Sequence, residues 1–212
     1  MTSYLPRYAR SDRVNHWIVA ICFVLLSLSG LAFFHPAFFF FSVVLGGPVW
    51  ARILHPFLGV VLSVAFVFLA VRFWTENYLK PVDIAWLKRI DEVINNGAGP
   101  DQLPVGKNNA GQKLMFWSMV VSVAFLLLSG ILIWRAYFAG YFPIVVVRTG
   151  MVIHMLAAFV GILSLIVHVY AAIWVKGTIR AMTRGNVEAA WAKHHHPAWY
   201  HEMTEKPAGP ID

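Results

Sequence analysis

TGMVIHMLAAFVGILSLIVHVYAAIWV, residues 149–175, is the stretch from which the fold is read. It is long enough to cross a ~30 Å hydrocarbon core as a helix, and it carries His154 and His168. The two are fourteen residues apart, about 21 Å along a helix axis and within about 40° of each other around it. One helix therefore offers two imidazoles on one face, one towards each side of a membrane. An imidazole facing the interior of a helical bundle is a natural axial ligand for haem iron.

Three further stretches have the length and apolarity of spans, Val14–Phe34, Ile53–Trp74 and Leu114–Trp134. With Thr149–Val175 they define an all-α membrane protein, a four-transmembrane-helix bundle, with residues 1–212 as one integral membrane domain and a polar loop at 75–113. Composition agrees. The chain is 59% hydrophobic and 13% charged, with mean hydropathy +0.65, more apolar surface than a soluble domain carries. Its net charge of +7 follows topology rather than any nucleic-acid motif. Of 17 Lys and Arg, three precede the first span, six lie from Arg72 to Lys113 and five follow Val175, leaving only Arg52, Arg135 and Arg148 for the other side. The positive-inside rule then places both termini and the middle loop in the cytoplasm. The first span, preceded by Arg7, Arg10 and Arg13, is read as a retained signal anchor because its apolar run continues to Phe34. Cys22 is the only cysteine. No CxxC attachment or iron–sulfur pattern exists, so a haem would be held non-covalently, as b-type.

The remaining histidines divide by depth. His16 enters the first span within Asn15-His16-Trp17. It is either an interfacial polar residue or a ligand that meets His168 at the cytoplasmic side. His55, in Arg52-Ile53-Leu54-His55-Pro56, falls level with His154 at the outer end if Pro56 occupies a helix's first turn. His35 competes, but it stands before Pro36 at the end of a span and is expected to face the interface. Gly30, fourteen residues beyond His16, and Gly161, midway between His154 and His168, allow close approach of a flat macrocycle or of another helix.

Between the spans, His35–Arg52 reads as an aromatic outer loop, Asp83–Asn95 as one amphipathic surface helix and Asn95–Pro104 as a turn region. GKNNAGQK, residues 106–113, misses the P-loop pattern. It reads as a polar N-cap whose amides would lie beside an inner haem, within reach of a quinone carbonyl. The run FLLLSGI, Phe125–Ile131, echoes VLLSLSGL, Val24–Leu31, with Leu, Ser and Gly in the same local order. In the tail, His194-His195-His196 reads as a solvated or docking surface rather than a metal site. Four imidazoles in lipid without partners would be expensive, so they require a bound group. A transporter is the rival class, opposed by the lack of buried Asp, Glu, Lys or Arg in the spans; a plain membrane anchor would leave the histidine depths unexplained.

Several segments resemble one family. Arg13-Val14-Asn15-His16-Trp17, Arg52-Ile53-Leu54-His55-Pro56-Phe57, Asn109-Ala110-Gly111-Gln112-Lys113, Trp174-Val175-Lys176-Gly177 and Trp191–Tyr200 look like the membrane gamma subunit of respiratory formate dehydrogenase. The NHW and LHP patterns also suit cytochrome b subunits of nickel–iron hydrogenases or another quinone-linked oxidoreductase. The resemblance implies a di-haem cytochrome b in a bacterial inner membrane. His16 and His168 would hold the cytoplasmic-side haem b, and His55 and His154 the periplasmic-side haem b. Asn109, Gly111 and Gln112 beside His168 would form a site for quinone, menaquinone or ubiquinone. The implied partners are an iron–sulfur subunit and a molybdenum- or tungsten-containing catalytic subunit, both periplasmic. The tail departs from the family in Ala198 and His201.

Overall fold

In the computed structural model, residues 3–96 and 103–205 are described. In chain order the helices are α1 (Arg10–Phe34), α2 (Pro48–Phe73), α3 (Pro81–Lys88), α4 (Ile90–Asn96), α5 (Ala110–Ile133), α6 (Ile144–Trp174), α7 (Thr178–Arg184), α8 (Ala189–His195) and α9 (Pro197–Glu205). Two short strands, β1 (Tyr4–Pro6) and β2 (Asn186–Glu188), pair antiparallel with Leu5 opposite Val187. Helices α1, α2, α5 and α6 are long and apolar enough to cross a membrane.

Each long helix starts about one turn before its apolar run. Helix formation keeps backbone groups paired into the interface, and local chemistry fixes each start. Asn109 caps α5, while Gly46 and Gly47, at φ 87° and 97°, turn the chain into Pro48 at the head of α2. This corrects the expectation for Pro56. It lies inside α2 rather than in its first turn, so the helix loses the hydrogen bond that residue 56 would have made to the Arg52 carbonyl. The loop between α1 and α2 contains a 3-10 helix, Pro36–Leu45, that exposes Phe39 and Phe40. The amphipathic helix expected over Asp83–Asn95 is instead α3 and α4, separated at Arg89 (φ −115°, ψ 28°). Of the expected turn region Asn95–Pro104, residues 97–102 lie outside the described residues.

The chain separates into two compact units. The helical unit, Val14–Arg72 with Ser118–Ile166, contains parts of all four long helices. Small residues set its packing. A Cβ on Gly161 would stand 2.9 Å from Phe23 Cζ, and one on Gly150 would meet Ile133 and Leu132. Helix backbones can approach closely only where such residues lie at the crossing. Several polar groups inside are satisfied across helices or along them. Asn15 Nδ2 donates to the Ala65 carbonyl at 3.0 Å, and the Ser118 and Ser164 hydroxyls are 2.6 Å apart. The outward residues, Phe68, Val71 and Leu163 among them, are apolar and exposed, as a face towards lipid tails requires.

The terminal unit, Met1–Arg13 with Phe73–Trp117 and Val167–Asp212, is built differently. Ala181, Val187, Ala192 and Trp199 form its core, with Leu5, Tyr8, Trp191, Tyr200 and Met203 packed around them. Gly185, at φ 81°, accepts from the Arg7 and Tyr8 amides, and a Cβ there would lie 2.9 Å from the Tyr8 carbonyl oxygen. Only glycine fits that position. Asp83 and Lys113 form a buried ion pair at 2.7 Å, and Asp83 also accepts from the Lys80 amide. Removing one partner of such a pair leaves a buried charge, typically at a cost of about 3–5 kcal/mol.

The tail is not the solvated surface expected from the histidine run. His196 is 1% exposed. Its Nδ1–H donates to the Gly106 carbonyl at 2.8 Å, and its Nε2 faces Arg7 Nη2 at 3.4 Å. The Arg7 guanidinium is itself buried, 4.8 Å from the Trp199 ring and 5.5 Å from that of Trp191. Arg7 Nη2 also donates to the Lys107 carbonyl, so two segments distant in sequence meet at one arginine, supplying acceptors and ring faces.

Burial, reinforced by the Arg7 guanidinium and His195, pushes the His196 imidazole well below its ordinary value, against a smaller opposing pull from the Gly106 carbonyl. Burial, then His194 and Arg7, lowers His195 to about 4. Both rings are therefore neutral when folded. Unfolded, they take up protons near pH 6.5. Stability is full above that value and falls as pH drops from 6.5 towards about 4, where only the unfolded chain has gained charge. Amide-exchange protection of residues 186–199, corrected for intrinsic rates, is expected to weaken over this window. His196→Gln should flatten the dependence.

Candidate functional site

In the helical unit, two helices each hold one imidazole supplied by a third and a fourth. His55 on α2 has its Nδ1 2.7 Å from the Ser29 hydroxyl on α1. His154 on α6 has its Nδ1 3.0 Å from the Ser129 hydroxyl on α5. The residue after each serine is a glycine. A Cβ on Gly30 would stand 3.6 Å from His55 Cε1, and one on Gly130 would stand 3.5 Å from His154 Cε1. Each ring therefore lies against bare helix backbone, held by the preceding hydroxyl.

The two rings face each other. Their centroids are 6.4 Å apart and their planes 58° from parallel. Two imidazoles sharing one metal atom would have centroids about 6 Å apart, given a metal–nitrogen bond of about 2 Å and a ring radius of about 1.1 Å on each side. The donor set, two neutral nitrogens among apolar helices, suits an iron already held by a macrocycle. The residues present thus fit a bis-histidine haem. Phe33 edges against the His55 ring at 5.4 Å, adding an apolar wall.

The family described as prokaryotic cytochrome b561 matches residues 7–185. The chain belongs to that family. The cytochrome is also 46% identical over 207 residues to the formate dehydrogenase cytochrome b556(fdo) subunit of Escherichia coli (strain K12), covering 96% of this chain and 97% of that one. It is 46% identical over 197 residues to the nitrate-inducible formate dehydrogenase cytochrome b556(Fdn) subunit of the same strain, covering 93% and 90%. With the formate dehydrogenase cytochrome b556 subunit of Haemophilus influenzae it shares 41% over 198 residues, covering 92% and 82%. The similarity runs through the whole fold.

Other residues singled out in the sequence take varied places in this cytochrome. His16 is on α1 in the helical unit, half-buried with its ring edge-on to Trp17. His168 is on α6 in the terminal unit. His35 is a cap, its Nδ1 accepting from the Ala37 amide at the head of the 3-10 helix. Asn109 and Gln112 form a reciprocal capping box at the start of α5. The Gln112 amide N–H donates to Asn109 Oδ1 at 2.9 Å, and the Asn109 amide N–H donates to Gln112 Oε1 at 3.0 Å. A Cβ on Gly111 would lie 3.4 Å from the Trp86 ring, so this turn packs directly on α3.

Ser29 and Ser129 escaped attention as site residues. Their signal was present as the repeated Ser-Gly pair, the serines followed by a histidine 26 and 25 residues further along the chain. Arg7 and His196 gave no such signal, because their burial depends on contacts across most of the sequence.

From this geometry, His55→Ala and His154→Ala are expected to empty the same site, each removing one haem's worth of α-band absorbance. His35→Ala should leave haem content unchanged and lose only the cap, about 1 kcal/mol of local stability. Reduced-minus-oxidised spectra normalised to protein, with thermal unfolding in detergent, distinguish these outcomes.

Proposed function

We propose that this cytochrome is the membrane subunit of a respiratory formate dehydrogenase, passing electrons from a periplasmic iron–sulfur subunit to quinone at the cytoplasmic side. The observation that carries the reading is the opposed pair His55 and His154 in a family member 46% identical to two formate dehydrogenase cytochromes. In this reading His55 and His154 ligate the outer of two b haems, and His16 with His168 the inner. Bound haem supplies reversible one-electron chemistry at an iron whose potential the ligands and their surroundings tune. Formate would be oxidised on a molybdenum- or tungsten-containing partner subunit.

The chain's own residues supply position, insulation and proton access. Apolar helices exclude water around the histidine pair. The basic residues near Arg10, Arg13, Lys107 and Lys176 orient the terminal unit to the cytoplasm by the positive-inside rule. In this reading the chain lies in a bacterial inner membrane, with protons for quinone reduction drawn from the cytoplasm. The pocket wall would be Asn109, Gly111 and Gln112, close to His168. Gln112 uses its carbonyl oxygen in the capping box. Its side-chain NH₂ group makes no hydrogen bond among the described residues and is the donor left for a quinone oxygen. That oxygen gains negative charge on reduction, so a fixed donor favours the reduced form.

The first test is haem content. The purified chain should carry two b haems, and a ratio near one would overturn the di-haem reading. The second separates the cap from the pocket. Gln112→Glu keeps the carbonyl-type acceptor for Asn109 and places a favourable charge at a helix N-terminus, but it removes the donor. Haem reoxidation by a quinone analogue should slow in Gln112→Glu and in Gln112→Leu alike, by the equivalent of about 1–3 kcal/mol, with both haems retained. Wild-type reoxidation in Gln112→Glu would mean that Gln112 only caps α5.

A further inference from the structure

We infer that Ser29 and Ser129 are positioning residues that set the tautomer, orientation and electron richness of the two outer ligands; this rests on the reading that His55 and His154 ligate one haem. The case begins with one proton. A serine hydroxyl has a single hydrogen to donate. Ser29 Oγ lies 2.8 Å from the Leu25 carbonyl oxygen and 3.2 Å from that of Leu26. Ser129 Oγ likewise donates back along its own helix to the Phe125 carbonyl. With those protons committed, each oxygen has only lone pairs left for the imidazole beside it. His55 then donates Nδ1–H to Ser29, and His154 donates Nδ1–H to Ser129 with the Leu126 carbonyl as a second acceptor beside it.

A neutral imidazole protonated at Nδ1 has its free lone pair on Nε2. Both serines thus hold the tautomer that presents Nε2 for coordination. They also keep each ring from turning, because the glycine backbone lies under its Cε1 edge. Accepting Nδ1–H makes a ligating imidazole more basic. A more electron-rich ligand pair favours ferric over ferrous iron and lowers the midpoint potential of that haem. The device occurs twice, from α1 towards α2 and from α5 towards α6. Ser29 is fully buried and Ser129 nearly so, so water does not substitute for either hydroxyl.

The inference concerns which haem responds as well as how. Ser29→Ala and Ser129→Ala remove an acceptor without changing a ligand. Each should raise the midpoint potential of one of the two b haems, the same one in both variants, and shift its low-temperature electron paramagnetic resonance signal. The other haem should keep both properties. Haem loss on challenge with apomyoglobin should accelerate about tenfold at that site, the lower end of the range for losing such a partner. Ser63→Ala is the control. Its hydroxyl makes the same kind of backward bond, to the Gly59 carbonyl at 2.7 Å, and it bonds no histidine among the described residues. Should Ser29→Ala empty the site, Ser29→Cys keeps the volume with a weak acceptor and should give a smaller shift in the same direction.

Unchanged potentials and resonance signals in Ser29→Ala and Ser129→Ala, with both haems present, would overturn the inference. So would an equal shift in Ser63→Ala. Failure of the underlying ligand reading looks different: His55→Ala would then retain two haems with wild-type spectra.

Discussion

An imidazole inside a membrane has two nitrogens to satisfy and no water with which to satisfy them. The helical unit meets this constraint by giving Nδ1 of His55 and of His154 to a serine on a neighbouring helix. Nε2 of each is then left for a bound group. Much else follows. The serines must be near-neighbours of the histidines across a helix crossing, the next residue must lack a side chain, and the helices must approach closely. Ser29-Gly30 and Ser129-Gly130 meet all three requirements with two residues each. Hydroxyls that bond backwards along their own helix suit the task, since they remain acceptors without adding an unsatisfied donor to the apolar interior.

The four helices were legible because apolar length is a property of local sequence, as was the prominence of His55, His154 and His168. Helix ends were less so. Capping by Asn109 and the glycine turn before Pro48 carry α5 and α2 beyond their apolar runs, and this moved Pro56 from a first turn to a helix interior. The repeated Ser-Gly pair was visible as a pattern, but its role depends on which helix faces which, and a single helix's periodicity does not contain that. The tail was misread for a related reason. A histidine run with flanking lysine looks solvated from composition alone, whereas His196 is buried by Gly106 and Arg7, residues distant in sequence.

The terminal unit solves a different problem. It is a small assembly with a modest apolar core, and it gathers residues 3–13, 73–96, 103–117 and 167–205 around charged groups. Arg7 lies among aromatic rings, and Lys113 is matched by Asp83. Such contacts do little for raw stability compared with apolar packing, since desolvating the charges opposes their attraction. Their contribution is selectivity: few alternative packings give a buried guanidinium its ring faces and a buried ammonium its carboxylate together. That favours one arrangement of the segments that include Asn109 and Gln112.

Helix α6 runs unbroken from Ile144 to Trp174 and bears both His154 and His168. Its continuity makes the number of residues between them a geometric constant. Deleting one would turn one imidazole about 100° away from the other's azimuth and shorten their separation by about 1.5 Å. A substitution leaves that phase untouched. The interval is therefore tolerant in spelling and strict in length: away from Gly161, apolar residues can be exchanged for one another, but none can be inserted or lost without putting the two histidines out of phase.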